Sequence, residues 1–254
     1  MNRMNWAPLH EALARLRAAN EALPIWWRDD DATDITPALE HLSQASMQTG
    51  LPVHLAVIPG NARPKLAEFA AERAHIVPVV HGWRHINHAP PEAKKAEFGH
   101  PRVAGSDDIA AARAAMDQVF GDGYQPLFVP PWNRFDTSFL PHLKTNGFKG
   151  LSTFQPRSSI YASDGIVQIN THIDPIDWRG SRDLHDPDHL ILQTATLIHA
   201  RLDRTQDSTE PLGYLTHHLV HTSRVWTFSE ALLNTLLDGG ATAQPIAPLL
   251  EIET

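Results

Sequence analysis

The chain has no cysteine. That excludes disulfides, thiolate metal sites and a cysteine nucleophile, so any metal must be held by histidine and carboxylate. It also lacks a cluster of basic residues. Lys and Arg number 21 against 29 Asp and Glu, a formal charge of -8, and Lys94-Lys95 is an isolated pair. Phosphate backbones are bound by clustered Lys and Arg, so nucleic acid is not the expected partner. No apolar run reaches the roughly 18 residues of a membrane span. The segment from Met1 to Leu16 is interrupted by Arg3, His10, Glu11 and Arg15, unlike a secretion signal. The expectation is a cytoplasmic protein that does not engage a membrane. Internal repeats, low-complexity segments and linkers are lacking too. A single domain spanning 1-254 is expected.

What is present is an ordinary globular balance, 42% apolar and 20% charged, with strand and helix signals in alternation. Trp6, Leu9, Leu13, Leu16 and Leu23 repeat at helical spacing, and Pro24 is read as the end of that helix. Ile25-Trp26-Trp27 reads as a short buried strand broken by charge at Arg28. Thr36-Pro37 opens a helix that Gly50 closes. Val53 to Ile58 and His75 to Val80 read as strands, the second running into His81. After a polar stretch from Arg84 to Gly105, a helix begins at Ser106-Asp107-Asp108. Strands are expected at Leu127 to Val129, Phe148 to Phe154, Ile166 to Thr171 and Gly213 to Leu219. Helices are expected from Asp136 to Asn146, from Asp188 to about Arg204, and from Thr227 with Glu230 completing a capping box; the tail after Gly240 reads as an extra strand. This alternation predicts an α/β fold with a parallel sheet and helical crossovers. No Gly-rich phosphate fingerprint follows the first strand, which favours a barrel over a dinucleotide-binding sheet.

The unusual polar residues fall just after the expected strands. Asp29-Asp30-Asp31 follows the first, His81-Gly82-Trp83-Arg84-His85 the third, and Pro130-Pro131-Trp132 the Phe128 strand. His172, Asp174, Asp177 and Trp178 follow the Ile166 strand, and His217-His218 lies at the end of the Leu215 strand. In a parallel barrel these points converge on one rim. Three adjacent carboxylates repel one another, and a bound cation would relieve them. His81 and His85 are spaced so that both imidazoles can reach one metal. About one such pair is expected by chance among the histidines; the chain has His81/His85, His185/His189 and His217/His221. The second pair is read as a solvated helix face. Two His and a carboxylate form a recognised catalytic zinc set with positions open for water and substrate. On an alternating strand His217 and His218 face opposite ways, so at most one meets the rim. Trp132 and Trp178 are candidates to line an apolar pocket or a sugar platform.

The order Asp-Asp, His-x-x-x-His, Pro-Pro-aromatic, Asp-Trp, Leu-x-His, from about Trp26 to Val220, resembles the polysaccharide deacetylases, carbohydrate esterase family 4 with its NodB-homology domain. The resemblance implies a distorted (β/α) barrel of about seven parallel strands. It implies Asp29 as catalytic base, Asp30 as metal carboxylate and His81 and His85 as the histidine ligands. It further implies a Trp132 backbone N–H in the oxyanion hole and Asp177 supporting the catalytic His. Trp178 would wall the acyl pocket, and Leu215 and His217 would form the Leu-x-His motif with His217 as general acid. The cofactor would be a divalent metal. Zinc suits this set, and cobalt, nickel and iron fit it as well. The partner would be a small-molecule or oligosaccharide substrate whose acyl group is removed from an N-acylated sugar or related amide. Without a secretion signal, a smaller or intracellular substrate is expected.

The chain departs from the family pattern at three places. Asp31 replaces the usual Gly after the Asp pair, Gly82 the usual Ser or Thr after the first His, and Val129 the usual Arg before the Pro. That Arg pairs with the catalytic Asp, and Arg28, Arg134 and Arg157 are the candidates to replace it. Two alternatives stand beside the deacetylase: a metal hydrolase of a non-sugar C–N bond on the same barrel, and a catalytically impaired sugar-binding module.

Overall fold

A computed structural model describes residues 4-251. In chain order the elements are α1 (Ala7–Ala18), β1 (Leu23–Ala32), α2 (Pro37–Thr49), β2 (Val53–Val57), α3 (Pro64–Ala71), β3 (Ile76–His81), α4 (Gly105–Phe120), β4 (Leu127–Val129), α5 (Leu140–Thr145), β5 (Gly150–Leu151), β6 (Tyr161–Ser163), β7 (Ile166–Gln168), α6 (Pro187–Leu202), β8 (Leu212–Thr216), α7 (Ser223–Asp238), β9 (Ala241–Ala243) and α8 (Ala247–Leu250).

The sheet runs β6-β7-β5-β4-β3-β2-β1-β8, with β9 added beside the start of β1. All pairings are parallel except the β6–β7 hairpin. The chain beyond β7 then closes the circle: Ile173 bridges Tyr214 in parallel, and Leu215 N–H donates to the Ile173 carbonyl at 2.8 Å. Seven parallel staves therefore form a distorted barrel, β1, β2, β3, β4, β5, β7 and β8, as the motif order implies.

Strand alternation divides the core in two. Residues such as Ile25, Trp27, Leu55 and Phe128 face outward, in the large cluster under the helices. Trp26, Ala56, Val79, Leu127, Val129, Val167 and Ile169 face inward, in a second cluster that Ile246 and Leu250 of the C-terminal segment close. Gly213 is required here, because a Cβ would lie 2.6 Å from Trp26 Nε1 and 2.4 Å from the Asn170 carbonyl oxygen.

Several boundaries differ from the sequence expectations. Helix α1 ends at Ala18, and Leu23-Pro24 already belong to β1. Helix α7 starts at Ser223 with Thr222 as its cap, so Thr227 lies inside it. The expected helix from Asp136 is a short 3-10 turn followed by α5. The largest difference is in β1, which does not stop at Arg28 but continues through Asp31 to Ala32. Charge does not break the strand because each charged side chain finds a partner on its own face.

Candidate active site

The alternation of β1 decides where its three aspartates go. Trp26, Arg28 and Asp30 share the inward face, whereas Asp29 points outward with Trp27. Asp29 is wholly buried; it accepts from Thr216 Oγ1 at 2.6 Å, from the His218 backbone N–H at 3.0 Å and from His218 Nδ1 at 2.5 Å. Burial pushes the Asp29 carboxyl up, but the His218 charge and these hydrogen bonds outweigh it and hold it below the usual range. The same pair draws His218 up against its burial. Asp29 is absent from the cleft lining, and its oxygens accept from Thr216 and His218 on the other face of the strand. Asp29, expected as the catalytic base, thus lies on the outward face of the strand and outside the cleft lining.

Asp30 lies at the cleft floor, ion-paired with Arg28: Nε is 2.9 Å from Oδ1, and Nη2 donates to Oδ2 at 3.0 Å. Arg28 is fully buried and crosses the barrel interior. Its Nη1 donates to Ser152 Oγ at 2.7 Å, and its Nη2 to Asn133 Oδ1 at 2.6 Å. Arg134 instead donates to the Lys95 carbonyl, and Arg157 pairs with Asp207. Of the three candidates for the missing arginine, Arg28 is therefore the one against a floor carboxylate. Val129 lies in the apolar interior.

At Asp31 the ladder between β1 and β2 slips, and the residue adopts φ 78°. This bulge turns its carboxylate to the barrel mouth, where Oδ1 lies 3.1 Å from His81 Nε2 and 3.3 Å from His85 Nε2. One ligand atom from each of Asp31, His81 and His85 lies within 4.8 Å of the others, and this is the candidate metal trio among the described residues. The carboxylate expected in the trio was Asp30; the structure puts Asp31 there, because the bulge follows Asp30 and Asp30 is taken by Arg28. Burial raises the Asp31 carboxyl, yet the hydrogen bond and charge of His81 hold it well below the ordinary range. Burial opposes a charge on His81, but Asp30 and Asp31 pull its pKa up. Burial, and then the His81 charge, push His85 down.

The donor set fits a divalent cation. His81 Nδ1 lies 3.1 Å from the Val129 carbonyl, a partner that takes the Nδ1 proton and leaves Nε2 directed at Asp31. The loop carrying His85 is held by a buried carboxylate that the sequence reading missed. Glu97 accepts from the Trp83 N–H at 3.0 Å and the Arg84 N–H at 2.8 Å. Gly82 has φ 55°, and a Cβ there would meet Glu97 Oε2 at 2.2 Å and Pro131 Cδ at 2.4 Å. A Ser or Thr cannot enter that space, which accounts for the Gly at this departure. Glu97 lies in a polar stretch with no periodicity, so only its burial reveals it.

His217, Trp178, Trp132 and Asp174 complete a cleft of about 1040 Å³. The His217 ring meets Trp178 edge to face at 4.7 Å, and Trp132 is tilted against His85 at 4.2 Å. Trp132 itself has φ 58°. The Asp177 carboxylate accepts from the Gly180 and Ser181 backbone N–H groups at 2.9 Å each and does not line the cleft. The carboxylates within electrostatic reach of His217 include Asp31 and Asp174, the latter accepting from Trp178 Nε1 at 2.8 Å. Burial raises the Asp174 carboxyl despite the opposing His217 charge. The Asp-Trp motif thus presents its aromatic to the cleft while its Asp closes a turn. Leu215 is buried beside Arg28 in the ladder and does not line the cleft. His172 is likewise withdrawn, 3.2 Å from the buried Glu210, whereas His185 and His189, read as a solvated face, both line the cleft.

No protein-family model matches the chain, and no curated protein matches it in sequence. Solved structures do match. A family 4 carbohydrate esterase from Streptomyces lividans in complex with acetate is similar at TM-score 0.57 and 14% identity, covering 89% of this chain and 94% of that one. The chain has the fold of the family 4 carbohydrate esterases. A peptidoglycan N-acetylglucosamine deacetylase is similar at TM-score 0.56 and 15% identity, over 90% of this chain and 88% of that one. A family 4 pseudoenzyme from Bacillus anthracis is similar at TM-score 0.56 and 15% identity, over 91% of this chain and 66% of that one. The esterase-fold neighbours thus include active and inactive members. Among the described residues, no helix is long and apolar enough to cross a membrane.

Proposed function

We propose that this chain is a divergent polysaccharide-deacetylase-type hydrolase that removes an acyl group from an N-acylated sugar or related amide with a divalent metal held by Asp31, His81 and His85. The observation that carries the reading is the placement of a carboxylate–His–His trio, an arginine-held carboxylate and a histidine around one cleft. When bound, zinc or a similar ion lowers the pKa of water and polarises a carbonyl oxygen. The residues of the chain supply the rest. Asp30, one residue from the trio and fixed by Arg28, takes the proton of the attacking water. Arg28 holds Asp30 in place through Nε and Nη2. His217, which also lines the cleft, gives a proton to the departing amine. Trp178 and Trp132 wall the acyl group and exclude water from it.

Compared with the roles the motif resemblance implies, the base and the metal carboxylate each move one residue along, from Asp29 and Asp30 to Asp30 and Asp31. The test is hydrolysis of N-acetylated oligosaccharides by zinc-supplemented protein. Asp30→Asn and His217→Ala should each lower turnover by about 10²- to 10⁴-fold, while Asp29→Asn should act mainly on stability. Binding of N-acetylated sugar without turnover by the wild type would favour the impaired sugar-binding module instead. That reading draws on Val129, and the Arg28–Asp30 ion pair weighs against it.

A further inference from the structure

The whole molecule is acidic, yet the walls of its cleft are not. The lining includes Lys94, Lys95, Arg134, Arg179 and Arg182, and its only acidic residues are Asp30, Asp31 and Asp174. Each of those three has a partner. Asp30 is neutralised by Arg28, Asp31 sits between two imidazoles, and Asp174 is bonded to Trp178. The cations come from two separate walls. Lys94 and Lys95 are exposed on the long loop between β3 and α4, and Arg179 and Arg182 are exposed on the loop before α6. Arg134 joins the first wall by donating to the Lys95 carbonyl.

The acids near Arg179 and Arg182 are engaged elsewhere. Asp177 is tied to the backbone of Gly180 and Ser181, Asp183 pairs with Arg224, and Asp186 caps α6 by accepting from the His189 N–H. The side chains of Arg179 and Arg182 form no ion pair with another described residue, and neither do those of Lys94 and Lys95. Unpaired cations on both walls of a concave site raise the local concentration of anions and favour an anionic ligand. Guanidinium groups also bind carboxylate and phosphate in a fork geometry.

We infer that the cleft takes an N-acyl substrate that carries its own carboxylate or phosphate, seated between the Lys94–Lys95 wall and the Arg179–Arg182 wall. This inference rests on the hydrolase reading for the acyl part of the substrate only; the anion preference stands on the walls themselves. It adds a substrate class that the trio and His217 do not specify.

The experiment is calorimetric binding to zinc-supplemented protein of three matched probes: N-acetylglucosamine, its 6-phosphate, and its 6-carboxylate (the uronic acid). One or both charged probes should bind about tenfold more tightly than the neutral one in low salt, and which of them does so identifies phosphate or carboxylate as the group. At about 1 M salt the preference should shrink several-fold, since exposed charges are then screened. Arg179→Ala/Arg182→Ala, both at exposed positions, should lose most of the preference. Equal binding of charged and neutral probes overturns the inference. So does a preference that survives in both that variant and Lys94→Ala/Lys95→Ala. Hydrolysis of the same probes separates the two claims. An anion preference with no turnover counts against the hydrolase reading alone, and turnover without preference counts against the anion site alone.

Discussion

Asp30 and Asp31 are adjacent in sequence and opposite in circumstance. One is buried against a guanidinium on the inward face of β1, and the other is thrown to the mouth by a bulge and meets two imidazoles. The Arg28–Asp30 pair is a buried ion pair, so removing one partner strands the other. Arg28→Met should destabilise the fold by about 3–5 kcal/mol, and adding Asp30→Leu should restore much of that loss, as read by denaturant unfolding. A second prediction concerns His54, whose ring is buried against Trp26 and whose Nδ1–H donates to the Trp27 carbonyl at 3.0 Å. Burial pushes its pKa down to about 4 in the folded chain, below its value when unfolded. The unfolded chain therefore binds the extra proton as pH falls from about 6.5 towards 4, and folding stability drops across that window. Melting curves should show this loss in the wild type and a shallower one in a folded His54→Gln variant; equal slopes would contradict it.

At the scale of elements, strand and helix identities were legible because periodicity and caps are local. Thr36 does cap α2, accepting from the Leu39 N–H at 3.1 Å, and Gly50 takes φ 69° at its end. Position along a strand was less legible. The motif order points to residues that do share one cleft, Asp30, Asp31, His81, His85, Trp178 and His217, but which carboxylate joins the candidate trio depends on a one-residue bulge. Such a slip reverses which side chain faces which way and leaves no periodic trace. Asp177 and Asp174 show the same limit, since both precede Trp178 and only the turn closed by Asp177 tells them apart. Glu97 is a long-range partner of the His81–His85 loop, which no local pattern encodes. Its loss should be felt at the metal. Glu97→Gln should weaken zinc affinity by about 10- to 100-fold with the ligands unchanged, measured by chelator competition. Unaltered affinity would show that the loop holds its shape without it.

At the scale of the whole molecule, the barrel closes through Ile173 and Tyr214, and the inward face of β1 carries Trp26, Arg28 and Asp30 from the sealed bottom to the open mouth. The trio joins β1 to the loop after β3 across that mouth, so a cation there ties separate staves together. An ion that binds the folded chain alone stabilises it by mass action, by about 2.7 kcal/mol at a concentration one hundred times its Kd. Zinc should therefore raise the melting temperature in a concentration-dependent way, and chelator should reverse the rise. The most direct measurement is zinc stoichiometry by elemental analysis on the wild type, Asp30→Asn and Asp31→Asn after exposure to zinc and removal of the excess. The account predicts one ion in the wild type and in Asp30→Asn, and loss of it in Asp31→Asn. Retention by Asp31→Asn together with loss from Asp30→Asn would return the metal to Asp30 and contradict the account.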